Sequence, residues 1–266
     1  MTPILLRGLL AAGLLFALPA AADDGCFLFA DGSGKTLSRE GACSMRLPPA
    51  STFKIPLALM GYDSGYLVDE QWPALPFKPG YNGWLPAWHE TTTPSRWMTY
   101  SVVWFSQLMT EWLGMPRLQH YVDQFDYGNR DLSGHPGKQD GLTQAWLSSS
   151  LQISPEEQAR FLGRMLEGKL PVAASTLQHT ANLLKVSEID GWQIHGKTGM
   201  GYPKKLDGSL NRQRQIGWFV GWASKGSERR IFVHTVIQPP GKQFASLKAK
   251  EEVLAALPAK LAEQAN

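Results

Sequence analysis

Strand-forming patterns stand at both ends of this chain and helix-forming patterns fill its middle. Near the amino terminus, Phe27-Leu28-Phe29-Ala30 is followed by the turn residues Asp31-Gly32-Ser33-Gly34 and then Lys35-Thr36-Leu37, which reads as a hairpin. In the last third, 192–197, 216–222 and 231–237 are strand-like runs, the last two joined as a hairpin around Lys225-Gly226-Ser227. Residues 243–261 then read as a helix, with Phe244, Leu247, Leu254, Leu257 and Leu261 on one side and a bend expected at Pro258. A chain patterned this way closes one sheet through its own termini and carries the segment between them as an insertion. The expected class is α+β: an antiparallel sheet built from both chain ends with flanking helices, plus an inserted all-helical region. The sheet region covers about residues 23–48 and 182–266, and the helical region about 49–181.

Within the insertion, Gly61-Tyr62-Asp63-Ser64-Gly65 stops a first helix, and 72–88, rich in Pro, Gly and Trp, is an irregular surface excursion. A helical stretch over 97–113 and a short helix over 116–125 follow. Ser154-Pro155-Glu156-Glu157 is a serine cap with proline at the first helical position and Glu157 completing a capping box. That helix runs to about Gly168, with Phe161, Leu162, Met165 and Leu166 on its buried face.

The opening residues pair Arg7 with an apolar run from Gly8 to Leu18 and an Ala-x-Ala site ending at Ala22. This is expected to be a secretory signal peptide, residues 1–22, because the run is too short to cross a bilayer. Residues 23–266 then form a single domain, enough chain for a large core, with export to the periplasm and no membrane attachment expected after cleavage. A net charge of +3 with no basic run excludes an obvious nucleic-acid partner. The two cysteines, Cys26 and Cys43, bracket the first hairpin and in an exported chain are expected to form a disulfide, with two free buried thiols as the alternative. The six histidines have no ligand spacing, so no metal site is expected. Gly34-Lys35-Thr36 lacks the glycine five residues earlier that a phosphate-binding loop needs.

Chemistry enters at Ser51-Thr52-Phe53-Lys54. On a helix, i and i+3 share a face, which brings a lysine nitrogen within reach of a serine oxygen. An ordinary lysine is protonated at neutral pH and cannot accept a proton. The flanking Phe53, Ile55, Leu57 and Leu59 bury Lys54 and lower its pKa. A Ser-x-x-Lys tetrad also arises by accident in chains of this length, so the remaining motifs matter. Ser101-Val102-Val103 falls on the first long helical stretch, Tyr127-Gly128-Asn129 in a turn, and Lys197-Thr198-Gly199 at the end of a strand.

A chain with Ser-Thr-Phe-Lys, Ser-x-Val, Tyr-Gly-Asn and Lys-Thr-Gly in this order resembles the class D β-lactamases, or oxacillinases. These are serine enzymes of the penicillin-binding protein superfamily, with the β-lactamase/transpeptidase fold. Class A enzymes carry Ser-Asp-Asn where this chain has Ser101-Val102-Val103. The resemblance implies hydrolysis of β-lactam substrates through an acyl-enzyme on Ser51. It implies no bound cofactor, but carbon dioxide or bicarbonate to carboxylate Lys54, whose carbamate is the general base. Burial fits this role, because only a neutral amine reacts with carbon dioxide. By the same resemblance Trp146 donates to the carbamate and Val103 keeps it dry. Ser101 passes a proton to the β-lactam nitrogen, while at the substrate's other edge Lys197 supplies positive potential and the Thr198 hydroxyl a hydrogen bond to the substrate carboxylate. The backbone N–H groups of Ser51 and Met200 form the oxyanion hole, while Tyr127 and Asn129 are structural. Class D enzymes usually hold the carboxylate with an arginine before the last helix, yet 237–250 contains none. Of Lys242, Lys248 and Lys250, Lys248 aligns best with the missing residue, and Arg212 and Arg214 are further candidates. A penicillin-sensing binding domain and a DD-peptidase share these motifs and are the rival readings.

Overall fold

A computed structural model describes residues 25–205 and 207–263; the expected signal segment, residues 1–22, lies outside them. Six strands, β1 (Cys26–Asp31), β2 (Thr36–Gly41), β3 (Lys185–Ile189), β4 (Trp192–Gly201), β5 (Gln215–Lys225) and β6 (Glu228–Gln238), form one antiparallel sheet in the order β2-β1-β6-β5-β4-β3. The amino-terminal hairpin joins the carboxyl-terminal meander through β1 and β6, with Cys26 opposite Thr235 and Ala30 opposite Ile231. The α+β sheet built from both ends is therefore as expected. The sequence pattern did not single out β3, a mostly exposed edge strand with no continuous apolar run.

A single 3₁₀ turn, Ala50–Phe53, runs into α1 (Lys54–Asp63). Then come α2 (Pro94–Tyr100), α3 (Val103–Gln124), α4 (Gly141–Gln144), α5 (Pro155–Leu166) and α6 (Ala174–Leu183), and α7 (Ala245–Glu263) follows the sheet. The 72–88 excursion carries little regular structure beyond part of a 3₁₀ turn, Pro86–His89, and one bridge from Leu75 to Thr92. The capping box on α5 is formed, with the Glu157 N–H donating to Ser154 Oγ and the Ser154 N–H to Glu157 Oε2. Cys26 and Cys43 are joined as a disulfide, which rules out the free-thiol alternative.

The sheet has a core on each face. On one, Phe53, Leu57, Trp97, Trp104, Phe105 and Trp146 pack with Trp218 and Val233; on the other, Phe29, Ile194, Phe219 and Phe232 pack under Ala249, Val253 and Leu257 of α7. Two expectations need correction. The helix over 97–113 is broken: α2 ends at Tyr100, Ser101 takes a left-handed φ of 59°, and α3 starts at Val103 and kinks at Gly114. The buried side of α7 is set by Ser246, Ala249, Val253, Leu257 and Leu261, while Phe244 and Leu247 are exposed. Small residues face the sheet because the helix start lies directly on β5. A Cβ added at Gly217 would stand 2.1 Å from the Ala245 backbone. The helix continues through Pro258.

Candidate active site

The segment before Ser51 is tied down by buried hydrogen bonds. Trp218 Nε1 donates to the Pro48 carbonyl (3.0 Å), the Ala50 N–H to the Trp146 carbonyl (3.0 Å), and Thr52 Oγ1 to the Pro49 carbonyl (2.7 Å). Gln158 Nε2 in turn donates to Thr52 Oγ1 (3.0 Å). These bonds hold Ala50 at φ 49°, which costs a residue with a side chain about 1–2 kcal/mol, and so present Ser51 to the cleft from the 3₁₀ turn.

Lys54 opens α1, fully buried, with Nζ 3.3 Å from Ser51 Oγ. Burial, and then the charge of Lys197, hold its pKa well below the ordinary lysine value. The neutral amine that a base or a carbamate requires is thus favoured by the fold.

Ser101 sits in the left-handed turn between α2 and α3. The turn is fixed by the Val102 N–H donating to the Trp97 carbonyl (3.1 Å) and by Trp88 Nε1 donating to the Tyr100 carbonyl (2.8 Å). From β4, Lys197 Nζ donates to Ser101 Oγ (3.0 Å) and to the Thr198 carbonyl (3.0 Å). Lys197 is 4% exposed, and burial together with the nearby Lys250 lowers its pKa to about 7. Gly199 is the point where β4 crosses the nucleophile turn: a Cβ there would lie 2.9 Å from the Pro49 carbonyl oxygen. Met200 follows in the same strand, opposite Gly217.

These residues surround one cleft of about 450 Å³. Ser51, Ser101, Val103, Thr198, Gly199 and Met200 line it together with Trp84, Trp88, Leu147, Phe244 and Ser246. Trp146 is fully buried and stacked on Phe53 at 5.4 Å. Its Nε1 has no hydrogen-bond partner. A buried unpaired N–H costs about 1–3 kcal/mol, so this donor is poised for an acceptor beside the residue that precedes Lys54.

The penicillin binding protein transpeptidase domain family matches residues 28–259. The β-lactamase OXA-9 of Klebsiella pneumoniae is 42% identical, covering 88% of this chain and 86% of its own. OXA-1 of Escherichia coli is 36% identical, covering 88% and 84%. The crystal structure of the class D β-lactamase OXA-427 superposes with a TM-score of 0.89 at 74% identity, covering 90% of this chain and 99% of that one. The chain belongs to the class D β-lactamases.

Within this class D chain, Tyr127 and Asn129 do not line the cleft. Tyr127 is buried with its ring edge-on to Phe161 (5.1 Å) and tilted on Phe53 (5.4 Å). Asn129 Nδ2 donates to the Ser150 carbonyl and Oδ1 accepts from the Gln152 N–H, both at 2.9 Å, pinning the loop that follows Trp146.

Lys248 is a correction. It lines a separate cavity beside Cys26 and His234, and its ammonium lies 3.7 Å from Glu252. Arg212 lies over the Tyr202 ring (5.5 Å). Leu247, expected on the buried side of the helix, is exposed, and Lys248 beside it turns away from the cleft. Ser246, one residue earlier, does reach the cleft, and Lys250, one turn after Ser246, faces β4 beside Lys197. Sequence reasoning also missed Trp84, Leu147 and Phe244. Trp84 and Phe244 are both exposed aromatics in irregular segments, and their rings meet across the cleft mouth at 6.0 Å. Exposed aromatics beside motif residues were the available signal.

Proposed function

We propose that this class D enzyme hydrolyses the β-lactam ring of penicillins and related antibiotics through an ester on Ser51, and so confers resistance to them. The observation that carries the reading is Ser51 at the cleft 3.3 Å from the buried Lys54, with Ser101 lining the same cleft. Ser51 Oγ attacks the lactam carbonyl carbon, and the backbone N–H groups of Ser51 and Met200 receive the developing oxyanion. The carbonyl–nitrogen bond then breaks, and Ser101 relays a proton to the leaving nitrogen while Lys197, bonded to it, supplies positive potential. The Thr198 hydroxyl meets the substrate carboxylate in the cleft that Ser246 also lines. Water finally attacks the Ser51 ester and frees the enzyme.

Lys54 fits carboxylation by carbon dioxide, since burial keeps its amine neutral and Trp146 Nε1 is an unclaimed donor. Bound there, the carbamate supplies the general base for both steps. Val103 screens the position from water, and the stack of Trp146 on Phe53 fixes the donor's direction. Residues 1–22 act as the export signal and 23–266 as a single periplasmic catalytic domain. Among the described residues no helix is long and apolar enough to cross a membrane.

Mixing the purified protein with a chromogenic cephalosporin tests the activity. Sustained turnover, many substrate molecules per enzyme, is expected. One stoichiometric burst followed by silence would instead assign the protein to the penicillin sensors or DD-peptidases.

A further inference from the structure

A second cavity, of about 210 Å³, has Lys197 and Thr198 in its lining and does not include Ser51. Lys197 walls it together with Lys250 of α7, Lys185 of β3, Thr99, Gly196 and Phe219. Three lysines therefore line one small space, and among the described residues no carboxylate lines it. Neither Lys185 nor Lys250 has a salt-bridge partner among the described residues, whereas Lys169, Lys248 and Lys260 each do. Unpaired like charges packed together are unfavourable, and the cost appears in Lys197, whose charged form is disfavoured by burial and by Lys250. Lys197 also couples the two spaces, because its ammonium reaches Ser101 Oγ at 3.0 Å on the cleft side.

We propose that this cavity binds a small tetrahedral oxyanion of the phosphate or sulfate kind, and that the bound anion holds Lys197 in its charged form. Lys185 and Lys250 supply the flexible, hydrated cations suited to such an ion, and the Thr99 hydroxyl is a further donor. The groups facing Lys197 are Ser101 from the α2–α3 turn, Lys54 from α1 and Lys250 from α7, and Lys185 from β3 shares the lining of the cavity. His195, opposite Lys185 in the sheet, has its pKa lowered to about 4 by burial and stays neutral. An anion is thus the missing opposite charge. Its effect on catalysis rests on the role proposed above for Lys197; its binding does not.

Inorganic phosphate is the probe, added to the whole protein in phosphate-free, carbon-dioxide-depleted buffer. Its ³¹P resonance should broaden saturably. The Lys197 titration, followed by ¹³C NMR of labelled lysine side chains, should move up by about one pH unit at saturation. Lys250→Gln and Lys185→Gln should each weaken phosphate binding about tenfold, the double variant should abolish both signals, and Lys250→Arg should keep them. Equal broadening in the double variant would overturn the proposal. So would loss of binding once Ser51 is acylated by a penicillin, because the ion would then occupy the substrate's carboxylate position in the main cleft. A protein that binds phosphate in this way but does not turn over cephalosporin would keep this inference and lose the hydrolase reading.

Discussion

Replacing Trp146 with Phe removes one N–H and leaves an aromatic ring beside Phe53. If the indole donates to a carbamate on Lys54, the variant loses a hydrogen bond to a charged group, worth about 1.5–3 kcal/mol. Half-carboxylation should then require roughly 10- to 150-fold more bicarbonate, at about 1.4 kcal/mol per factor of ten. The smaller ring also leaves a void, but that loss is shared by the carboxylated and free forms and cancels from the bicarbonate dependence. Without carbon dioxide the wild-type Nε1 is buried and unpaired. Removing it there offsets part of the packing loss, so wild type and variant should differ less in stability without bicarbonate than with it. The assay is a ¹³C-bicarbonate titration read by the carbamate resonance, with turnover measured on the same samples. Identical half-saturation in both proteins would refute the reasoning and leave Trp146 as packing alone.

Lys197 should titrate near pH 7 in carbon-dioxide-depleted buffer, against 10.5 for an ordinary lysine, with the midpoint read by ¹³C NMR. Between those values the unfolded chain binds the extra proton, so stability should rise with pH across that window, and bicarbonate should raise the midpoint by placing an anion on Lys54. Reducing the Cys26–Cys43 bridge, which spans a sequence separation of 17, should cost about 3 kcal/mol and lower Tm by roughly 6–12 °C in a thermal melt. Lys248→Ala should leave both kcat and KM for penicillins unchanged, since its ammonium lies by Glu252 outside the cleft; a raised KM would restore it as a carboxylate ligand.

What could be read from the sequence follows from how locally each feature is encoded. Ser51 and Lys54 share one turn, so their spacing alone placed them together. The apolar residues around Lys54 anticipated its burial. The sheet was legible because β1, β5 and β6 carry apolar runs bounded by turn residues and β4 opens on the strand-like Trp192-Gln193-Ile194, whereas β3, at an exposed edge, has no such signature. Ser101 and Lys197 lie 96 residues apart, and their 3.0 Å contact could be anticipated only through the family's motif order. The left-handed turn at Ser101 escaped because Trp88, in the irregular excursion, supplies one of its hydrogen bonds from outside the helix. On α7 Leu257 and Leu261 are buried as expected, but at the helix start close packing on Gly217 sets the small Ala245 and Ser246 against the sheet in place of Phe244 and Leu247. That shift separates Lys248 from Lys250.

The central claim is that Ser51 becomes an ester of the opened β-lactam. Rapid acid quenching of the protein during penicillin turnover, followed by peptide mass spectrometry, tests it directly. The peptide containing Ser51 should carry the added mass of one intact penicillin, the label should vanish in Ser51→Ala, and turnover should vanish with it. A label on another residue, or turnover that persists in Ser51→Ala without any acylated peptide, would contradict the account.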